Sequence, residues 1–202
     1  MSGVRIGIDF DNTIICYDEV FSAAAQQRGL IREGWAAAKS EIRDYLRAQP
    51  GGEVAWQGLQ GFVYGKGIGD AKIFSGVRDF LAACRLANAS VYIVSHKTKY
   101  GHQDPDRTDL REAARGWMRS AGLLDTPDSP LAADSVYFEG TLAAKVDRLA
   151  RLELDIFIDD LVDVFEQPHF PRQTMPIVFG GADSRFKSCA TWADVQNEVF
   201  AA

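Results

Sequence analysis

The chain is poor in cysteine, in net positive charge and in long apolar runs, and each shortage closes off a class of protein. Three of its 202 residues are cysteines, Cys16, Cys84 and Cys189. Their number is odd, they lie far apart and no C-x-x-C pair occurs, which argues against a disulfide framework and a structural zinc site. Small buried thiols in a reducing compartment are the expectation instead. Lys and Arg number 22 against 28 Asp and Glu, a formal net charge of −6. A nucleic-acid binder that works by neutralising phosphates is basic, so no nucleic-acid partner is expected. No window has the apolar length needed to span a bilayer. Met1-Ser2-Gly3-Val4-Arg5 leads directly into strand-like residues, without a basic region followed by a long apolar stretch. The expectation is a cytoplasmic protein with no membrane partner. There is also no internal repeat and no low-complexity tail.

What the chain does have is a composition suited to a core. Hydrophobic residues make up 47% of it, enough to fold without covalent staples. Five short apolar runs read as buried strands: Val4–Phe10, Val91–Ser95, Val136–Phe138, Ile156–Ile158 and Ile177–Phe179. Helical periodicity separates them. Leu110, Ala113, Ala114, Trp117, Met118 and Ala121 mark one apolar face, with Thr108 or Asp109 suited to cap its start and Gly122 its end. Val77, Phe80, Leu81 and Cys84 mark a second, with Ser75 as its cap, and a third begins near Thr141. Trp192 to Phe200 closes the chain as a short helix. Alternating short strands and helices predict an α/β fold, a Rossmann-like parallel sheet sandwiched by helices. Residues 15–72 break the rhythm: they show helical patterns such as Trp35, Ala38, Ile42, Tyr45 and Leu46, and no convincing strand. The expected organisation is a core of residues 1–14 and 73–202, with a small helical cap at 15–72 inserted after the first strand. Gly65, Gly67 and Gly69 suggest a flexible return from it.

In open parallel sheets, ligands bind beyond the carboxyl ends of the strands. The first run ends in Asp9-Phe10-Asp11-Asn12-Thr13, the second in Ser95-His96-Lys97 and the fourth in Asp159-Asp160. Any one of these suits a turn or a solvated surface. Together they bring carboxylates and a hydroxyl to one sheet edge from distant parts of the chain. Asp9, Asp11 and Asp159 brought together repel unless a cation lies among them. Hard oxygen donors without nearby His or Cys favour Mg2+ over zinc. Beside such an ion, a carboxylate can attack phosphorus, and a second acid can protonate the leaving oxygen.

These residues resemble the motifs of the haloacid dehalogenase-like (HAD) phosphatase superfamily. Asp9-Phe10-Asp11-Asn12-Thr13 is similar to its D-x-D-x-T signature. Val91-Tyr92-Ile93-Val94-Ser95 resembles its second motif, and Ile156-Phe157-Ile158-Asp159-Asp160 its fourth. The resemblance implies that Asp9 is nucleophile and metal ligand. It makes Asp11 the general acid/base, giving its backbone carbonyl to the metal, and Thr13 a support of the loop. Ser95 would bind the transferring phosphoryl group, and Asp159 and Asp160 would bind Mg2+. The third motif is a lysine, for which Lys145 is preferred and Lys97 competes. Lys97, with His96, is otherwise a substrate contact. The insertion resembles a C1-type cap.

The reaction expected is Mg2+-dependent hydrolysis of a small phosphorylated substrate, a sugar phosphate or nucleoside monophosphate, through an aspartyl-phosphate. A phosphotransferase or mutase would share the Asp9 chemistry. A phosphonate hydrolase would need a Schiff-base lysine, with Lys39 or Lys66 in the insertion as the available choices. A catalytically silent binding protein is the non-enzyme alternative. Gly65-Lys66-Gly67-Ile68-Gly69 lacks the G-K-[ST] ending and the strand–helix setting of a phosphate loop.

Overall fold

A computed structural model of the chain describes residues 3–127, 129 and 131–200. The chain divides into two compact units. Met1–Ile15, Ile73–Lys97 and Met118–Ala202 make the first, and Cys16–Lys72 with Thr98–Trp117 make the second.

The first unit is built on a six-stranded sheet. Its strands are β1 (Arg5–Ile8), β4 (Ser90–His96), β5 (Val136–Glu139), β6 (Ile156–Asp159), β7 (Met175–Phe179) and β8 (Lys187–Cys189). Their order across the sheet is β5-β4-β1-β6-β7-β8, and every pairing is parallel. The missing numbers belong to β2 (Ile15–Cys16) and β3 (Lys72–Ile73), which form a separate two-stranded sheet at the ends of the insertion. The five expected runs are all strands of the main sheet. The sixth, β8, has the polar sequence Lys-Ser-Cys, and a search for apolar runs passes over it.

Strand parity explains how both faces are covered. Val178 joins a core cluster with Val94, Phe157, Val146 and Leu149. Val146 and Leu149 come from α6 (Leu142–Arg151), and Val164 and Phe165 in the same cluster from α7 (Val162–Phe165). The next residue along the strand, Phe179, points to the opposite face, as pleating requires. There it packs on Trp192 of α8 (Trp192–Phe200), which in turn packs on Phe80 of α4 (Val77–Leu86), at ring distances of 5.2 and 5.0 Å. Helices therefore cover the sheet on both sides, as all-parallel sheets demand. Gly7 lies on the α6 side of β1, where a Cβ would stand 2.4 Å from Leu154 and 2.8 Å from Phe157. Cys84 is buried on α4, which pushes its thiol up to about 12 and keeps it protonated.

Helix α6 starts where expected, with the Thr141 hydroxyl accepting from the Ala144 amide at 3.1 Å. Helix α4 does not use Ser75 as its cap. Its N-cap is Gly76, at φ +87°, and no side chain caps it. The left-handed backbone, not hydroxyl chemistry, sets this turn.

The second unit holds α1 (Asp18–Gln27), α2 (Lys39–Arg47) and α3 (Gly52–Tyr64), followed by a 3-10 helix at Lys66–Asp70. The glycine-rich return is thus a defined helical turn. Trp35 lies outside the helix its spacing suggested, because α2 begins only after the extended residue Ala38. Its ring still meets Tyr45 edge-on at 5.2 Å, so helix-like spacing arose from a loop folded against a helix. Trp56 is buried and stacks on Phe21 at 5.2 Å. Thr98–Trp117, placed in the core by the sequence reading, groups with this unit instead. Lys66 pairs with Asp106 at 2.6 Å, the Trp117 indole donates to the Ala71 carbonyl at 3.1 Å, and Gly101 approaches Gly61 too closely for a side chain. Helix α5 (Leu110–Ser120) follows, with Asp109 accepting from the Arg111 and Glu112 amides at 3.1 Å. Among the described residues no helix is long and apolar enough to cross a membrane.

Gly76 offers a direct test of the turn into α4. A Cβ there would lie 2.9 Å from that of Trp192, on a backbone that L-residues rarely adopt. Gly76→Ala is expected to lower unfolding free energy by about 1–3 kcal/mol in a urea titration followed by circular dichroism.

Candidate active site

The first unit brings its acidic residues together at the carboxyl end of the sheet. β1 and β6 are neighbours in the register Ile8↔Ile158, and the Asp9 amide continues the ladder by donating to the Ile158 carbonyl at 2.8 Å. Asp9 and Asp159 therefore stand level on adjacent strands. Both share the parity of residues facing α6, Gly7 and Phe157 respectively. Lys145 lies in the first turns of α6, buried beneath the helix, and its ammonium reaches between them. Nζ stands 2.6 Å from Asp9 Oδ1 and 2.5 Å from Asp159 Oδ2. The other Asp159 oxygen accepts the Leu161 amide at 2.9 Å. Asp159 is completely buried, and Asp9 nearly so.

Asp160 completes the group. One carboxylate oxygen from each of Asp9, Asp159 and Asp160 lies within 4.8 Å of the others. The Lys145 ammonium is shared by Asp9 and Asp159, and Asp160 crowds the same point. Burial therefore raises the Asp9 carboxyl well above the usual range; Lys145 opposes the rise, while Asp159, Asp160 and Asp11 add to it. Burial alone would lower the Lys145 ammonium, but Asp159 and Asp9 outweigh it and hold it well above its ordinary value.

The loop after β1 is a tight turn. The Ile14 and Ile15 amides both donate to the Phe10 carbonyl, and the Asn12 amide donates to the Ile15 carbonyl at 2.9 Å. Asn12 sits in the left-handed region at φ 56°, a conformation Asn tolerates better than most residues. Its side-chain amide donates to Asp160 at 3.4 Å, tying this loop to the acidic pair. From α8, the Trp192 indole donates to the Thr13 carbonyl at 3.0 Å. Sequence reading missed both roles. The Asn12 role had a signal, an Asn directly after Asp-x-Asp, but a tryptophan some 180 residues away had none.

Asp11 does not join the three-acid group through its side chain. Its carboxylate is held by Lys97, whose Nζ lies 3.0 Å from Oδ1 and 2.8 Å from Oδ2. The two lysines are thus divided between the two aspartates of the first loop, Lys145 to Asp9 and Lys97 to Asp11. His96 is exposed, and its Nε2 lies 3.2 Å from the Gly140 carbonyl in the turn between β5 and α6.

Two hydroxyls at this edge stand out. Ser95, at the end of β4, and Thr13 are both buried, and neither hydroxyl has a hydrogen-bond partner among the described residues. A buried hydroxyl left unpaired costs roughly 1–3 kcal/mol, so a native fold rarely keeps two without use. The site therefore combines two features, acids crowded around one ammonium and hydroxyls without partners among the described residues. An all-oxygen carboxylate set of this kind fits a hard divalent cation.

No protein-family profile matches the chain, and no curated protein does. Solved structures match it along its full length. A HAD family hydrolase from Deinococcus radiodurans R1, described with bound phosphate and sodium, has a TM-score of 0.60 at 13% identity, over 98% of this chain and 95% of that one. A predicted phosphatase from Clostridium acetobutylicum gives 0.60 at 11%, over all of both chains. Protein tyrosine kinase A from Mycobacterium tuberculosis gives 0.60 at 16%, over 98% of this chain and 99% of that one. At such identities these likenesses establish the fold, which is that of the HAD-superfamily hydrolases.

The geometry predicts opposite stability effects at two of these residues. Removing Lys145 leaves buried carboxylates without their cation, so Lys145→Met is expected to lose about 3–5 kcal/mol in metal-free urea denaturation. Ser95→Ala removes a hydroxyl that makes no hydrogen bond among the described residues, and stability should change by less than about 0.5 kcal/mol or rise. A loss above about 2 kcal/mol for Ser95→Ala would show that the hydroxyl is structurally engaged.

Proposed function

We infer that the chain is a Mg2+-dependent phosphohydrolase acting on a small phosphorylated metabolite, with Asp9 as nucleophile. The observation that carries this reading is the clustering of Asp9, Asp159 and Asp160 oxygens within 4.8 Å at the sheet edge to which the unpartnered hydroxyls of Ser95 and Thr13 also belong. Asp9, Asp159 and Asp160 are the side chains that would hold the metal, with the Asp11 carbonyl added by family resemblance. When bound, Mg2+ would neutralise phosphoryl charge and the surplus of carboxylates.

In this reading Asp9 attacks phosphorus, forming an O–P bond as the bond to the leaving oxygen breaks. Lys145 holds the attacking carboxylate in place and offsets charge around the reacting group. The Ser95 hydroxyl donates to a phosphoryl oxygen, which resolves its lack of a partner. Asp11 gives a proton to the departing alkoxide, then takes one from the water that cleaves the aspartyl-phosphate, so the enzyme returns to its starting state. His96, directed at the Gly140 carbonyl, is assigned at most to the rim of the substrate site. The insertion lies in the chain between Asp9 and Ser95, the place of a C1-type cap, and is assigned to substrate selection.

The test uses purified protein, p-nitrophenyl phosphate and Mg2+. Turnover is expected in the wild type, abolished by chelation and restored by added Mg2+. Asp9→Asn should lower kcat by at least about 1000-fold, and Asp11→Asn by about 100- to 10,000-fold. Release of inorganic phosphate to water rather than to an acceptor alcohol separates hydrolysis from transfer. Wild-type rates in Asp9→Asn would overturn the assignment.

A further inference from the structure

We propose that Lys97 is a positioning residue for Asp11: it anchors one carboxylate oxygen while the other is presented to the leaving group. The inference rests on the phosphohydrolase reading and adds a residue to it.

Lys97 is an unusual lysine. It follows β4 directly, its amide donates to the Glu139 carbonyl at 2.9 Å, and its side chain is 2% exposed. Lysines are almost never buried without a specific partner, because burial removes hydration and fixes a long, flexible side chain. The partner here is Asp11, engaged through both oxygens at 3.0 and 2.8 Å. The ammonium also lies 5.6 Å from the centre of the Phe10 ring, which is buried and meets Phe138 edge-on at 6.0 Å. Backbone, aromatic neighbour and carboxylate together fix where Lys97 Nζ sits.

Asp11 needs such an anchor. Its side chain is 20% exposed, at the open side of the loop, where a free carboxylate would sample several rotamers. A general acid works only when its oxygen is held within hydrogen-bond reach of the leaving group, and loss of that placement slows the step steeply. With two contacts to Lys97, Asp11 can turn one oxygen to the substrate and keep the other in place. Lys145 cannot serve this purpose, because it approaches from α6 and is occupied by Asp9 and Asp159. Lys97 comes from the end of β4 and Lys145 from α6, so the two cations reach the loop from different elements.

The experiment compares leaving groups. Wild type, Lys97→Met, Asp11→Asn and the double variant are assayed on aryl phosphates from p-nitrophenyl to p-methoxyphenyl, with kcat and KM determined separately. A p-nitrophenolate leaves without much help from an acid, whereas a p-methoxyphenolate needs a proton. Lys97→Met is expected to lose about 10-fold on the first and about 100-fold on the second in kcat/KM, which covers only the steps through departure of the phenolate. The double variant should be no slower than Asp11→Asn alone, since Lys97 acts through Asp11. Because the double variant removes both members of the ion pair, it also controls for a folding defect from an unpaired Asp11. Equal losses in kcat/KM across the series, or additive losses in the double variant, would overturn the inference while leaving the phosphohydrolase reading intact. A wild type inactive on the whole series would remove both.

Discussion

The buried contact of Lys145 with Asp9 and Asp159 is the constraint on which the rest of the first unit turns. Bringing two carboxylates and an ammonium out of water costs several kcal/mol per ion, and their attraction repays this only at close, well-aligned distances. That alignment needs the β1–β6 register that sets Asp9 level with Asp159, and α6 must begin at Thr141 so that Lys145 falls over them. It also needs Gly7, because a side chain there would push away Leu154 and Phe157 beneath the lysine. A hydrophobic trio of similar volume would make a core at least as stable. Such an arrangement is therefore poorly explained by stability alone and better explained by chemistry that uses all three groups.

The pairing of two lysines with two aspartates of one short loop follows from topology. Alternate residues of a strand face opposite sides of the sheet, and the loop after β1 lies at the carboxyl end of the sheet. Asp9, still in register with β6, is reached from the α6 side. Asp11, two residues further and past the tight turn at Phe10, is reached from the end of β4. In sequence the lysines look interchangeable, each near a motif and each able to meet a carboxylate. In the fold one is held by Asp9 and Asp159 and the other by Asp11.

This is also where the limit of sequence reading lies. Asp9, Ser95 and Asp159 were legible because each ends an apolar run, and the carboxyl end of a buried parallel strand is where such residues gather. Lys145 was legible from its place in a helix between two strands. That Lys97 meets Asp11 was not, because the pairing depends on strand order and on the path of a turn. Polar β8 and the two-residue strands β2 and β3 carry too little apolar pattern to be seen at all. Trp35 failed in the opposite way: residues spaced like a helical stripe can also come from a loop packed on a helix. The Thr98–Trp117 segment has no pattern linking it to the insertion; its contacts with Lys66, Gly61 and Ala71 exist only once both are folded.

The crowded acids and the two unpartnered hydroxyls constrain what fills the site more tightly together than apart. A cation alone offsets the surplus charge of Asp9, Asp159 and Asp160 but gives the Ser95 and Thr13 hydroxyls nothing to donate to. An anion alone offers those hydroxyls acceptors but adds negative charge to a buried group that already has too much. A neutral polar ligand satisfies the hydroxyls and leaves the charge untouched. In the proposed reading, an anion that arrives with a dication would answer both needs, with Asp9, Asp159 and Asp160 as the side chains to hold the metal. Phosphate monoesters meet that description: several acceptor oxygens on one centre, a charge near −2, and a ready affinity for Mg2+. In the proposed function, metal and substrate would therefore be mutually dependent ligands.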